Sequence, residues 1–246
     1  MEEQLLKAKQ LRQKLKELID IASRVEPNLA SRLRAIQQPI IKMKAGDLAS
    51  RKYLIKGLEE ILADAEFWLC YRQASPEDQQ ILAGLLQPIY RYWYLYMFRN
   101  WFHKHDKKFE KWKEYFIRGM CQQNDANVIR QISSNIIKGR EEGKDSKYQG
   151  ADVLNKMVAD KAMATDLMIV ASKANPLCVQ LTQSSDKHTH NKLQCWQETL
   201  VYWEIKRGLF ASYNPRVASY INSLVANILS GTDGIKTGEY KQVSIK

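Results

Sequence analysis

The chain has 246 residues, with 38 Lys and Arg against 27 Asp and Glu, a formal net charge of +11, 45% hydrophobic and 26% charged residues. That length can bury a substantial core in one domain or two smaller ones, and the balance excludes an extended, disordered polyelectrolyte. The surplus of cations points to polyphosphates and anionic surfaces, with nucleic acid as the leading partner and a basic but inert surface as the competing reading.

Cys70, Cys121, Cys178 and Cys195 are scattered, with no CxxC pair, and read as reduced, mostly packed thiols of a cytoplasmic protein. The opening MEEQLLKAKQLRQKLK is charged and amphipathic, unlike a signal peptide, and the apolar window Ile81 to Phe102 is interrupted by Arg91 and Arg99. No membrane association is expected.

Residues 1 to 24 place Leu5, Leu11, Leu15, Leu18, Ile19 and Ala22 near one helical face, with basic residues opposite, a pattern suited to a protein partner or to self-association. A second helix is expected from Pro27, bent or broken near Pro39, and a third from Asp47 as N-cap to Arg72. Ser75-Pro76-Glu77-Asp78 opens a fourth, which Pro88 kinks or divides. The run from Tyr90 to Phe102 interleaves aromatics with arginines, as a stacking platform for single strands would, but its helical spacing alone is explained by a buried core, which is the better reading. The lysine-rich stretch that follows supplies the candidate phosphate contacts: Lys104, Lys107, Lys108, Lys111, Lys113 and Arg118. A further helix is expected from Asn124 as cap to Lys138, then a polar loop between Gly139 and Gly150, then a helix from Gly150 to Asp160.

Only after this does the hydrophobic period change. Leu167 to Val170 and Leu177 to Thr182 read as strands joined by the turn at Asn175-Pro176. Alternation along the second strand puts Val179 and Leu181 on one face, and Gln180 and Thr182 on the other beside Asp166. A helix carrying Leu193, Trp196, Leu200 and Trp203 follows, with the basic pair Lys206 and Arg207 at its end before Gly208, then a strand from Leu209 to Tyr213. A last helix is expected to be capped by Asn214, opened by Pro215 and ended at Gly231, with a turn and a short strand-like tail from Thr232.

This order resembles the common core of the PD-(D/E)xK, or restriction-endonuclease-like, nuclease superfamily, in which a helix precedes a sheet whose second and third core strands carry the site. There, an Asp on one strand and (D/E)-x-K on the next hold the metal and orient the attacking water. Asp166 falls at the first position, and Gln180-Leu181-Thr182 stands where acid, spacer and lysine belong. The resemblance implies an α+β or α/β fold: a helical region over 1–103 and a small mixed sheet flanked by helices over 104–246. It also implies nucleic acid as substrate or ligand, DNA more than RNA, with Glu114 as an acid on a preceding helix.

Hydrolysis would need Mg²⁺ held by hard oxygen ligands and a cation or base near the water. Asp166 supplies a carboxylate, and the Gln180 carbonyl a weaker neutral ligand; Thr182 replaces the lysine, and Lys192 or Lys173 offers a substitute charge. Two functional classes stay open: a divergent or inactive Mg²⁺-dependent endonuclease that binds nucleic acid, and a non-catalytic helical adaptor. His188, His190 and Cys195 lack a fourth ligand at zinc-like spacing, and Ser184, Ser185, Asp186 and His188 lack a nucleophile elbow.

Overall fold

A computed structural model describes residues 2–104, 107–118, 125–171, 175–183 and 186–245; side chains of Glu2, Lys107, Lys108, Lys111, Tyr115 and 186–189 are outside that description. The chain divides into two compact units, Met1–Leu86 with Tyr94–Gln122, and Gln87–Trp93 with Gln123–Lys246. The expected boundary after residue 103 therefore falls inside the first unit. The physical reason is Arg32, which is buried, donates to the carbonyl oxygens of Trp101 and Lys104, and lies 3.9 Å over the Phe109 ring, tying both sides of that boundary to one helix.

The first unit is helical. Helices α1 (Glu2–Val25) and α2 (Pro27–Lys42) bury the stripes Ala8, Leu11, Leu15, Leu18, Ile19, Ala22 and Leu29, Ala30, Leu33, Ile36, Ile40, each at helical spacing. Pro27 opens α2, whereas α2 continues through Pro39 and is not broken there. Asp47 lies in the first turn of a short helix, α3 (Ala45–Ser50), and α4 (Lys52–Gln73) starts later than expected. The Ser75 hydroxyl accepts from the Asp78 N–H at 3.1 Å and caps α5 (Pro76–Leu85). Pro88 starts a separate helix, α6 (Pro88–Tyr92), which belongs with Trp93 to the second unit; Trp93–Phe98 is π-helical, and α7 (Arg99–His103) follows in the first unit. The aromatic run is core: Met97, Phe98, Trp101 and Phe102 are buried in the first unit, and Trp93, which belongs to the second, is buried as well. Trp101 meets Trp112 edge-on at 5.7 Å, and Trp112 stacks on Phe116 of α8 (Lys107–Ile117) at 5.1 Å.

The second unit is a five-stranded mixed sheet between helices. It runs α9 (Ala126–Glu141), β1 (Asp152–Leu154), α10 (Met157–Met163), β2 (Leu167–Val170), β3 (Leu177–Gln183), α11 (Asp186–Tyr202), β4 (Gly208–Tyr213), α12 (Tyr220–Gly234) and β5 (Tyr240–Ile245). The spatial order is β1-β2-β3-β4-β5; β1, β2 and β3 pair antiparallel, and β3, β4 and β5 pair parallel. On one face Leu167, Ile169, Val179, Leu181, Leu209 and Ala211 pack with Ile132 and Ile136 of α9 and Leu224, Ile228 and Leu229 of α12. On the other, Trp196 of α11 approaches Phe210 at 5.5 Å and Tyr240 at 5.9 Å. Gly208 permits that approach, since a Cβ there would stand 2.4 Å from Leu200 and 2.8 Å from Trp196.

Three expectations are corrected. Residues 150–160 are not one helix: Val153 and Leu154 belong to β1, and only Met157 onward is helical. Asn214 does not cap the last helix, because its side-chain oxygen accepts from the Arg216 N–H in a local turn, and α12 begins at Tyr220 and runs beyond Gly231 to Gly234. Arg207 is not a helix-end surface charge. It is buried, with Nε donating to Ile235 O at 2.7 Å and the other nitrogens to the carbonyls of Asn175, Gly231 and Thr232. Cys178 is packed as expected, but Cys70 and Cys195 are exposed, and Cys121 lies outside the described residues. Among the described residues no helix is long and apolar enough to cross a membrane.

Candidate functional site

The β2–β3 register pairs Leu167 with Val179, so the preceding residue, Asp166, stands opposite Gln180, the fourth of the seven residues of β3, facing the carboxyl half of that strand. The carboxyl end of parallel strands is where α/β sheets leave room for ligands. Ala164, in the left-handed region at φ 49° and ψ 48°, ends α10 and turns the chain into the sheet. A non-glycine residue there carries strain of about 1–2 kcal/mol, held by the packing around it. The Asp166 N–H donates to Val179 O at 2.8 Å and its carbonyl accepts from Asn155 Nδ2 at 2.6 Å, so its backbone is fixed on both sides.

The Asp166 carboxylate is buried, and its Oδ2 accepts from the Leu181 N–H at 2.7 Å and from Gln180 Nε2. Gln180 Nε2 also reaches Leu181 O at 3.2 Å. Thr182, two residues along on the same face, is buried, and its hydroxyl accepts from Lys192 Nζ at 3.3 Å. Asp166, Gln180, Thr182 and Lys192 are thus brought together from the end of α10, β3 and the second turn of α11. Lys173, Ser184 and Ser185 lie outside the described residues, as does the Asn124 cap.

Burial drives the Asp166 carboxyl well above the ordinary Asp range, and the nearby charge of Asp160 pushes it further; the Leu181 N–H opposes both, Asp125 adds to the rise, and Lys161 offsets it. Asp160 is itself paired with Lys161 at 3.0 Å. Asp125 opens α9, but its carboxylate makes no cap bond and accepts instead from the buried Tyr213 hydroxyl. Burial raises the Tyr213 hydroxyl, and that bond to Asp125 raises it further. Neither Asp125 nor Asp160 was singled out in the sequence, since each sits in a different element and no local spacing links it to Asp166.

A divalent cation fits this arrangement poorly. Mg²⁺ asks for near-octahedral oxygen ligands, usually with one or two carboxylates, whereas Gln180 turns its N–H to Asp166 and one Asp166 oxygen already accepts two donors. Among the described residues no group of three or more Asp, Glu, His or Cys side chains is placed to share an ion.

Of the basic residues named on and beside α8, Lys113 is paired with Glu110 at 2.6 Å, and Arg118 with Glu114. The exposed Arg118–Glu114 pair is worth roughly 0–1 kcal/mol, so a phosphate can take the place of the glutamate. Glu114 is in the first unit, on α8, and no described bond joins it to Asp166. Lys104 ends α7, and Lys107, Lys108 and Lys111 lie on α8 with side chains outside the described set. No protein-family model matches the chain, and no curated protein or solved structure is significantly similar to it.

Proposed function

We propose that the chain is a nucleic-acid-binding protein, for DNA ahead of RNA, whose second unit follows the PD-(D/E)xK plan with a centre that holds phosphate and does not hydrolyse it. What carries this reading is the placement of Lys192 Nζ 3.3 Å from the Thr182 hydroxyl, on the sheet face where Asp166 and Gln180 meet. Burial and Asp160 favour the protonated form of Asp166, which lessens repulsion of a phosphate, while Thr182 and Lys192 offer donors. The order helix, strand, short helix, two strands, helix, strand, with β1, β2 and β3 antiparallel and β4 parallel to β3, supports the same plan.

The test is a titration of the full chain with labelled duplex DNA, single-stranded DNA and single-stranded RNA at low salt, in EDTA and in Mg²⁺ or Mn²⁺, with the nucleic acid run on a gel afterwards. Binding without a divalent cation, tighter for DNA and leaving the strands intact, is expected. Cleavage that Asp166→Ala abolishes would replace this reading with that of a metal-dependent nuclease. No binding to any of the three would leave the helical adaptor in its place.

A further inference from the structure

Along α1 from Leu5 to Lys16 a groove of about 890 Å³ opens toward the end of α2 and the start of α3, lined among others by Leu5, Leu6, Lys9, Arg12, Lys16 and Ile41. Leu6 of α1 and Ile41 of α2 are each 57% exposed, large branched side chains left in water on the lining of this groove. The charged lining is cationic only. Elsewhere on α1, Lys7 is paired with Glu59 and Lys14 with Glu66, but among the described residues neither Lys9 nor Lys16 is paired with an acid. Arg12 is held in place by the carboxyl end of α2, with Nη2 donating to Ile40 O at 2.9 Å and Met43 O at 2.6 Å, so its charge stands at a fixed point of the wall.

We propose that this groove receives an acidic amphipathic helix of a partner protein, its apolar residues seated on Leu6 and Ile41 and its carboxylates facing Lys9, Arg12 and Lys16. At 1.5 Å per residue the groove follows α1 for roughly 17 Å, about three turns of a helix bound in this way. A second copy is disfavoured because it would bring the same cationic lining against itself. A nucleic-acid strand matches the lysines but leaves Leu6 and Ile41 without an apolar partner. A lipid surface does not enter a concave wall between helices. This surface lies in the first unit, and the proposal stands apart from the reading of the Asp166 centre.

The probe is a displayed library of about 16 residues, roughly four turns, with Leu, Ile, Phe or Met at i, i+3, i+4 and i+7 and Asp, Glu, Ala or Gln elsewhere. A second library carries Lys and Arg in place of the acids. Selection on the full chain should enrich the acidic library alone. The affinity of a selected peptide should fall about tenfold or more with Leu6→Asp and with Lys9→Glu/Lys16→Glu, and stay unchanged with Ile81→Asp, an exposed apolar site on α5. A peptide with Lys exchanged for its Glu should regain affinity for the Lys9→Glu/Lys16→Glu variant, which a misfolded variant would not allow. Equal enrichment of the basic library, or insensitivity to both sets of changes, overturns the proposal. So does a concentration-dependent dimer lost in Leu6→Asp, or displacement of the peptide by duplex DNA or by phosphatidylserine vesicles.

Discussion

Gln180 donates its side-chain N–H to Asp166 across the β2–β3 pair, where a metal-holding pair would turn two oxygens toward an ion. The bond closes the two residues on each other. It leaves the charge of the region to Lys192, to Asp125 and to Asp160 with Lys161.

The closed pair has a pH signature. An unfolded Asp titrates near 3.9, and in the folded chain burial, then Asp160, moves Asp166 upward. Between those two values the folded state keeps a proton that the unfolded state has released, so this residue lowers stability as pH rises through the window, and the loss is complete above the folded value. Asp166→Asn keeps an oxygen for the Leu181 N–H and removes the titration. Melting curves from pH 4 to 8 should show a flatter profile for the variant, with its advantage over wild type growing toward neutral pH. Parallel profiles would mean that Asp166 titrates as an ordinary surface carboxyl does.

Lys192 is exposed and belongs to no core, so Lys192→Ala should leave the unfolding free energy within about 0.5 kcal/mol of wild type. If Lys192 contacts a phosphate, the same change lowers the slope of log affinity against log salt by about one, while Lys192→Arg keeps it. Lys14→Ala, on α1 and paired with Glu66, is the control that should leave the slope alone. A slope indifferent to Lys192 would remove it from the interface.

Arg207 satisfies carbonyl oxygens at the end of α12 and at Asn175, next to β3. Arg207→Met fills the space but abandons the oxygens of Asn175, Thr232 and Ile235, each costing about 1–3 kcal/mol when left buried without a donor, while Gly231 O keeps the Ile235 N–H. The expected loss is about 3 kcal/mol, read as a lower urea midpoint at unchanged m-value. Arg207→Lys should recover only part of it, because a single ammonium cannot span the set that a planar fork reaches.

The strands β2, β3 and β4 were legible because each is buried or alternates over enough residues for its period to show. Strand β1 was not: it has three residues, and Val153, Leu154, Met157 and Val158 fit a helical stripe as well as a strand followed by a helix. The juxtaposition of Asp166, Gln180 and Thr182 could be read from alternation alone, and Lys192 from its place early in the next helix. Asp125 and Asp160 reach the same region through tertiary packing, which leaves no trace in local spacing. Asn214-Pro215 looked like a helix start because the same residues that cap helices also close turns, and here the turn won.

The Arg32 guanidinium holds α2 to both sides of residue 103 through the backbone oxygens of Trp101 and Lys104 and the face of Phe109. Such a latch is indifferent to what side chain position 104 carries, since any residue brings the same oxygen. The two ends therefore differ in their freedom to change over evolutionary time. Lys104 can be exchanged without touching this bond, whereas Arg32 has no substitute that is at once planar, permanently charged and long enough to reach both carbonyls.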